Sequence, residues 1–168
     1  MGESEFVAHF RSESELIDFA GEAGRRLAAA KRWPLLIGLR GELGAGKTTF
    51  VRALLRGLGY EARVPSPTYT LLEHYAVGEL VVVHLDLYRL ASEAELENLG
   101  LRDWLEAPAT WVLIEWPDRA PGLARRCDLL LTFEETEPGA RRLTLRAATE
   151  AGIGVLRDSR DSVLIKGP

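Results

Sequence analysis

The chain has 168 residues, of which 46% are hydrophobic and 27% are charged, a composition typical of a globular domain with enough apolar side chains to form a core. Its net charge of −4 argues against DNA binding and against any domain that holds nucleic acid through many phosphate contacts, because such domains need a basic surface. The single cysteine, Cys127, excludes an internal disulfide and a cysteine-based metal site.

An amphipathic helix is predicted near the start of the chain. Ser12 and Glu15 have the spacing of a capping box, and apolar residues then recur at helical intervals up to Leu27. We therefore expect a first helix that begins after Ser12 and turns one apolar face to the core.

The next segment has the order strand, glycine-rich loop, helix. Residues 35–39 form a short apolar run after Pro34, residues 41–48 contain three glycines, and apolar residues then recur at helical spacing up to Gly59. This order is informative because it places the loop at the carboxyl end of a strand and the amino end of a helix.

Farther along the chain, short apolar runs alternate with loop and helix signals. Residues 64–70 contain two prolines and predict an ordered loop, while the pair Ser92 and Glu95 predicts a short capped helix that ends at Gly100. Runs of strand length lie at residues 80–85, 111–114, 127–133 and 141–147, and an acidic turn joins the last two.

Helices between the apolar runs favour an α/β fold. We expect a three-layer sandwich in which helices cover both faces of a largely parallel central sheet, with an antiparallel edge or hairpin at the end of the chain. Residues 1–150 are expected to form a single domain and residues 151–168 a C-terminal tail. Ile153, Val155 and Leu156 are candidates for a last turn of helix, and the polar residues after them are expected to be partly mobile.

The glycine-rich loop satisfies the full Walker A pattern of glycine, four residues, glycine, lysine and then serine or threonine. In such a P-loop the backbone amides face the phosphates, helped by the positive end of the following helix. Lys47 is expected to bind the β and γ phosphates of ATP and Thr48 to bind Mg²⁺, while Thr49 either binds the α phosphate or caps the helix. The predicted nucleotide-binding residues are Gly41, Glu42, Leu43, Gly44, Ala45, Gly46, Lys47, Thr48 and Thr49.

A magnesium nucleotide site also needs an acidic side chain at the end of a neighbouring strand. Two apolar runs end in a carboxylate, at Asp86 and at Glu115. Spacing alone does not decide which acid binds the ion and which positions water. Strand alternation places His84 on the same face as Asp86, where a satisfied histidine beside the sheet is favoured over a general base. Trp116 follows Glu115 at the rim and is a candidate for contact with the site or with a partner.

Four blocks of the sequence together resemble one family of P-loop ATPases. They occur in the family's order and at its spacing, and the resemblance spans roughly residues 10–147. The combination is similar to the TsaE (YjeE) family of bacterial tRNA threonylcarbamoyladenosine synthesis, although the first block alone is shared by many ATPases. The blocks are Gly41-Glu42-Leu43-Gly44-Ala45-Gly46-Lys47-Thr48-Thr49-Phe50, Ser66-Pro67-Thr68-Tyr69-Thr70-Leu71, His84-Leu85-Asp86-Leu87-Tyr88-Arg89-Leu90 and Ile114-Glu115-Trp116-Pro117.

The resemblance assigns roles to residues of the site. It implies that residues 66–71 act as a switch segment near the γ phosphate, with Thr68 as the side chain that senses it. It also implies that Glu115 works with Thr48 at the magnesium ion and that Asp86 lies near the hydrolytic centre. The predicted metal ligands are thus Thr48 and Glu115, and the predicted catalytic residues are Lys47, Thr68, Asp86 and Glu115.

The resemblance also implies partners. Proteins of this family join a complex with TsaB and TsaD, whose TsaD subunit modifies the tRNA, and their ATP cycle resets that complex. Contact with tRNA is therefore expected only through the complex. We expect a weak ATPase that its partners stimulate, since no catalytic arginine is obvious, although Arg89 is a candidate.

Three other functions compete with an ATPase. A small-molecule kinase would need an acceptor pocket and an arginine-rich lid, and an ATP-dependent binding switch would bind a partner without turnover. A GTPase is disfavoured because the chain has no Asn-Lys-x-Asp segment.

A cytoplasmic location without membrane contact is expected. No stretch approaches the ~20 consecutive apolar residues of a membrane span, and the first ten residues carry two acidic residues in place of the basic start and apolar run of a signal peptide. A single cysteine also fits a reducing compartment.

Overall fold

A computed structural model describes residues 4–161 of the chain. Its strands are β1 (Glu5–Phe10), β2 (Leu35–Arg40), β3 (Leu72–Val77), β4 (Leu80–Asp86), β5 (Thr110–Glu115), β6 (Leu129–Glu137) and β7 (Ala140–Ala147). Its helices are α1 (Glu13–Ala29), α2 (Lys47–Gly57), α3 (Ala94–Asn98), α4 (Leu101–Glu106), α5 (Pro121–Ala124) and α6 (Glu150–Asp161), with a 3-10 helix at Pro117–Arg119. Within residues 4–161, no helix is long and apolar enough to cross a membrane.

The strands form one sheet with the order β1-β7-β6-β2-β5-β4-β3. The central strands β6, β2, β5 and β4 run parallel to one another. The outer pairs β1–β7, β7–β6 and β3–β4 are antiparallel. The predicted α/β fold, with a parallel centre and an antiparallel edge, is confirmed.

The parallel strands are apolar along most of their length because helices cover both faces of the sheet. Strand β5 is buried throughout, and β2 is buried in all but its last residue. One face packs against α1, α2 and α6, and the other packs against the short helices α3, α4 and α5. The sheet and these two helical layers form the expected three-layer sandwich.

Helices α1 and α2 pack so closely that only glycine fits at their crossing. A side-chain carbon at Gly57 would lie 2.1 Å from the backbone oxygen of Gly21, which no real contact allows. Near the start of α1, the side chain of Leu16 lies 3.0 Å from the position that a side-chain carbon at Gly46 would take. The first turn of α1 is therefore held against the glycine-rich loop.

Side chains cap the starts of two helices. Ser12 Oγ accepts the backbone N–H of Glu15 at 3.3 Å before α1, as the capping-box spacing predicts. Thr149 Oγ1 accepts the backbone N–H of Gly152 at 3.2 Å at the start of α6. Both bonds satisfy amides that have no partner within the helix.

Helix α6 occupies the first part of the segment for which the sequence predicts a tail. Its Val155 and Leu156 are buried in the same core as α1 and α2. The remaining tail residues, 162–168, lie outside the described residues. The single domain over residues 1–150 stays a prediction.

The sequence does not predict the two edge strands, β1 and β3. Strand β1 alternates exposed with partly buried residues, and in β3 only Tyr75 is buried. Edge strands need an apolar face only where they meet the core, and polar side chains on the other face protect them from pairing with other chains. Neither segment therefore contains the apolar run that marks the central strands.

Candidate functional site

The glycine-rich loop connects the carboxyl end of β2 to Lys47, the first residue of α2. Gly41 has a φ of +152° and Gly46 a φ of +112°, values that residues with side chains rarely adopt. A side-chain carbon at Gly41 would also lie 2.7 Å from the backbone oxygen of Phe133. These glycines let the loop turn tightly, and the first residues of α2, whose amides have no partner within the helix, line a cavity.

This cavity has a volume of about 420 Å³. It brings together most of the predicted site residues from four separate parts of the chain, namely the glycine-rich loop, Thr68, Asp86 and Glu115. Gly41, Glu42 and Ala45 do not line it, and Arg89, the candidate catalytic arginine, lies instead over the ring of Tyr69 at 4.5 Å. The lining residues are Glu13, Leu43, Gly44, Gly46, Lys47, Thr48, Thr49, Ser66, Thr68, Asp86, Tyr88, Glu115 and Trp116.

A second cavity, of about 600 Å³, lies among α3, α4 and α5. It is larger, but its charged side chains, such as Arg102, are exposed. The loop cavity instead contains Lys47, Asp86 and Glu115, each at most 5% exposed. Burial of charged groups is costly unless they serve one another or a ligand. The loop cavity is therefore the candidate site.

Lys47 has its ammonium group on the carbonyls of its own loop. Its Nζ donates to the backbone oxygens of Gly41 at 2.5 Å and Glu42 at 2.9 Å, and it lies 4.4 Å from the ring centroid of Trp116. Burial lowers the pKa of Lys47 below its ordinary value, and the nearby carboxylates oppose this shift. A phosphate group would be a better partner for this ammonium than two neutral carbonyls.

Glu115 ends β5 and contacts both Thr48 and His84. Its Oε1 accepts a hydrogen bond from Thr48 Oγ1 at 2.7 Å and lies 2.8 Å from His84 Nε2. An ionised carboxylate only accepts hydrogen bonds, so Nε2 is the ring nitrogen that carries the proton in this arrangement. His84 Nδ1 is buried and has no hydrogen-bond partner among the described residues.

Asp86 ends β4 and fixes the loop that carries Thr68. Its Oδ2 accepts a hydrogen bond from Thr68 Oγ1 at 3.0 Å, and its Oδ1 accepts the backbone N–H of Tyr88 at 3.0 Å. Ser66 Oγ lies 2.8 Å from Thr68 Oγ1. The predicted switch segment is thus connected through hydroxyl groups to the sheet.

The two acids meet because β4 and β5 are parallel neighbours. Asp86 lies opposite Glu115 in the register of these strands, and the carboxyl ends of parallel strands reach the same edge of a sheet. Trp116 then leaves β5 with a φ of +59°, and its ring contacts Tyr88 at 5.1 Å between centroids. A cation, a hydroxyl and two carboxylates are thereby arranged at one helix start.

Sequence reasoning places His84 on the correct face but does not predict its contact with Glu115. The alternation of β4 puts its ring on the same face as Asp86. A satisfied histidine is only half of what the structure shows, since one ring nitrogen bonds Glu115 and the other has no partner in the described part of the chain. The contact depends on β4 pairing with β5, which no local pattern encodes. Glu13, at the start of α1, also lines the cavity.

Comparisons with known proteins identify the family. A family model described as "Threonylcarbamoyl adenosine biosynthesis protein TsaE" matches residues 10–143. The "tRNA threonylcarbamoyladenosine biosynthesis protein TsaE" of Haemophilus influenzae is 39% identical over 122 residues, which are 73% of this chain and 76% of that protein. The protein of the same name from Aquifex aeolicus is 32% identical over 136 residues, which are 80% of this chain and 90% of that protein.

A solved structure agrees in fold. The "Crystal structure of Bacillus subtilus YdiB" matches with a TM-score of 0.72 at 22% identity, over 94% of this chain and 95% of that one. At this level of identity the match shows the fold alone. The family membership that the four sequence blocks predict is confirmed by the family model and the relatives. The chain belongs to the TsaE family of threonylcarbamoyl adenosine biosynthesis proteins.

Proposed function

We propose that the chain binds ATP with Mg²⁺ in the loop cavity and hydrolyses the nucleotide slowly, as an accessory ATPase of tRNA N6-threonylcarbamoyladenosine formation in the cytoplasm. The observation that carries the proposal is the position of Thr48 within hydrogen-bond distance of the buried Glu115, in a cavity that also contains Lys47. These three groups supply a hydroxyl, a carboxylate and a cation at the start of a helix, the combination that a magnesium triphosphate requires.

Phosphate binding relies on the main chain. The amides at the start of α2 have no helical partners, and the helix dipole adds positive potential at the same place. Lys47 would exchange its contacts with the Gly41 and Glu42 carbonyls for the β and γ phosphates. The exchange is favourable because hydrogen bonds between two charged groups are stronger than those to neutral carbonyls.

Magnesium fits the oxygen atoms of Thr48 and Glu115. Within residues 4–161, no group of three or more His, Cys, Asp and Glu side chains could hold a metal ion. A Mg²⁺ site of the nucleotide type needs only one or two protein oxygens, which phosphate oxygens and water complete. When bound, the ion would offset negative charge on the β and γ phosphates. His84 would hold the Glu115 carboxylate in place through its 2.8 Å contact.

Hydrolysis is proposed to occur beside Asp86 and Thr68. A water oxygen attacks the γ phosphorus, the bond from that phosphorus to the β–γ bridging oxygen breaks, and ADP and inorganic phosphate form. Asp86 would orient the water, and Thr68, which donates to Asp86 at 3.0 Å, would sense the γ phosphate. The rate is expected to be low because, in the described part of the chain, no arginine lines the cavity to stabilise the charge that develops.

A protein partner is proposed to complete the site. Leu43, at the tip of the glycine-rich loop, is 67% exposed, and Tyr69, beside Thr68, is 82% exposed. A partner that closes over the cavity would bury both apolar side chains, which favours association. We propose that TsaB and TsaD are the partners and that the ATP cycle resets their complex, with tRNA reached only through it.

Turnover with and without partners tests the proposal. ATP hydrolysis should be slow for the chain alone and faster when TsaB, TsaD and tRNA are added. Glu115→Ala should lose the stimulated activity, whereas Glu97→Ala, which removes an exposed carboxylate on α3, should keep it. Phosphate transfer to an added nucleoside or metabolite would favour a kinase instead. Partner binding that depends on ATP without phosphate release would favour a binding switch.

A further inference from the structure

Arg141, on β7, contacts the glycine-rich loop in a way that the sequence of the loop does not predict. Its Nε donates to the backbone oxygen of Ala45 at 3.0 Å, and its Nη2 lies 3.4 Å from the backbone oxygen of Gly44. Its Nη1 donates to Glu135 at 3.0 Å, and the side chain is only 11% exposed. The guanidinium group therefore joins the hairpin of β6 and β7 to two successive carbonyls of the loop.

The geometry of the peptide group gives these contacts a consequence for the nucleotide. In a trans peptide the C=O and the following N–H point in opposite directions. A hydrogen bond that fixes the carbonyl of Ala45 therefore also fixes the N–H of Gly46, which lies at the opposite edge of the same peptide plane. Gly46 lines the cavity and has a φ of +112°. Because glycine adopts many backbone conformations, the residue type alone does not hold this one. The Arg141 guanidinium restrains this peptide plane from outside the loop.

Arg141 lies at the amino-terminal end of a row of buried side chains on β7. Leu143, Leu145 and Ala147 point into the core from alternate positions of β7, and Arg141 continues the same alternation toward the loop. Glu135 lies opposite Arg141 in the register of β6 and β7 and accepts the backbone N–H of Gly139 in the hairpin turn. The carboxylate thereby fixes the orientation of the guanidinium group.

We propose that Arg141 is a positioning residue for nucleotide binding: it holds the peptide planes of Gly44 and Ala45 so that the Gly46 amide faces the phosphates. The inference rests on the proposed function of the cavity as an ATP site. Arg141 does not line the cavity, so it acts through the loop and not on the reacting phosphate. ADP and ATP should therefore depend on it equally, because both place a β phosphate against the loop amides.

Arg142 provides a matched control one residue away. It lies on the opposite face of β7 and pairs with Glu134 at 2.8 Å, with both side chains more than 40% exposed. Removal of either arginine changes the net charge by the same amount on the same strand. Only Arg141 contacts the loop, so the two variants separate the positioning effect from the general effect of charge.

The test is a calorimetric titration of Mg-ADP and Mg-ATP into the whole chain and into Arg141→Ala, Arg141→Lys and Arg142→Ala, with ATP turnover and melting temperature measured for each. Arg141→Ala should weaken both nucleotides about tenfold, the effect of losing charge-assisted hydrogen bonds. The kcat at saturating ATP should stay within about twofold of the parent. The nucleotide affinity of Arg141→Lys should lie between those of the parent and Arg141→Ala, because an ammonium group can replace only one of the two guanidinium contacts with the loop. The affinity of Arg142→Ala should match that of the parent.

Three results would overturn the inference. Arg141→Ala with the nucleotide affinity of Arg142→Ala would show that the loop needs no such anchor. A fall in kcat at unchanged affinity would show that Arg141 acts on the reacting phosphate. A parent chain that binds neither nucleotide would remove the proposed ATP site itself, and is recognised before any variant is compared. If Arg141→Ala does not fold, Arg141→Lys and Glu135→Gln decide, since unchanged affinity in both contradicts the inference.

Discussion

The loop cavity has two walls that are built in different ways. The glycine-loop wall consists of Leu43, Gly44 and residues 46–49, where the main chain and the ammonium of Lys47 supply the polar groups. The acid wall consists of the side chains of Thr68, Asp86 and Glu115, which a loop and two parallel strands bring together. Amides grip any phosphate chain, whereas carboxylates and hydroxyls distinguish where the chain ends and whether a cation accompanies it.

The walls also differ in what restrains them. The glycine-loop wall is held from outside the cavity, by Arg141 on its carbonyls and by Leu16 against Gly46. The acid wall is held within the cavity, where Thr48 and Thr68 donate to the carboxylates of Glu115 and Asp86. A ligand that takes over one of these hydroxyls breaks a hydrogen bond of the acid wall. We therefore infer that the first wall sets affinity and the second wall responds to the γ phosphate and Mg²⁺.

The largest expected effect comes from removal of the Lys47 ammonium group, which belongs to the glycine-loop wall and interacts electrostatically with the carboxylates of the acid wall. Lys47→Met keeps most of the side-chain volume but loses the ammonium, and should weaken ATP binding about a hundredfold, as does the loss of one partner from a buried charge pair. Turnover should fall to background. Titration of ATP and a phosphate-release assay measure both quantities. ATP affinity equal to that of the parent would contradict the phosphate role of the loop wall.

The next largest effect is expected from Glu115→Gln, which should impair the acid wall and leave phosphate binding by the glycine-loop wall intact. The amide oxygen of glutamine still accepts from Thr48 and His84, but the charge that would attract Mg²⁺ is lost. We expect kcat to fall about a hundredfold and the Mg²⁺ concentration for half-maximal activity to rise, while ADP binding without Mg²⁺ changes little. Glu97→Gln, an exposed carboxylate on α3, is the control. Unchanged magnesium dependence would show that Glu115 is not a ligand of the ion.

A smaller effect is expected from Thr68→Val, which removes one hydroxyl at nearly constant shape. If Thr68 senses the γ phosphate, ATP should bind about tenfold more weakly and ADP as in the parent. Thr70→Val is the matched control, because the exposed Thr70 donates to Glu73 at 2.9 Å in the same segment. Equal weakening of ATP and ADP would mean that Thr68 only maintains the fold of the loop.

The two walls also differ in how far the sequence predicts them. The glycine-rich loop is predicted from eight contiguous residues, and Asp86 and Glu115 are predicted because each ends an apolar run. The contact of His84 with Glu115 depends on the order of strands in the sheet. Arg141 lies 96 residues from Ala45, and its doublet with Arg142 is typical of a solvated surface. Only the alternation of β7 distinguishes the two arginines, and then only if the buried face is known.

The parallel centre of the fold was predictable for a related reason. Strands β2, β4 and β5 carry apolar runs because they are covered on both faces, so their own composition reveals them. Strands β1 and β3 have one neighbour each and a mixed composition. Their pairing is decided by the edges that the central strands leave open, which is a property of the assembled sheet.

The smallest predicted effect is on the stability of the nucleotide-free protein, and it follows from the lowered pKa of Lys47. Burial disfavours the charged amine in the folded state, so the pKa of Lys47 is below the ordinary 10.5 that it regains on unfolding. Between these two values the unfolded chain binds more protons, and the free energy of unfolding therefore rises with pH. Lys47→Met has no such proton to lose.

Urea unfolding in the presence of a chelator, from pH 7 to pH 10.5, should therefore show Lys47→Met to be the more stable chain near neutral pH. Its advantage over the parent should shrink as pH rises through the window, because other titrating groups are common to both chains and cancel. A difference that stays constant from pH 7 to pH 10.5 would mean that the carboxylates offset burial and hold the pKa of Lys47 at or above its ordinary value. Lys47 and the carboxylates would then form one ion-paired cluster in the nucleotide-free protein. The inference that one wall sets nucleotide affinity and the other responds to the γ phosphate and Mg²⁺ would then have no structural basis.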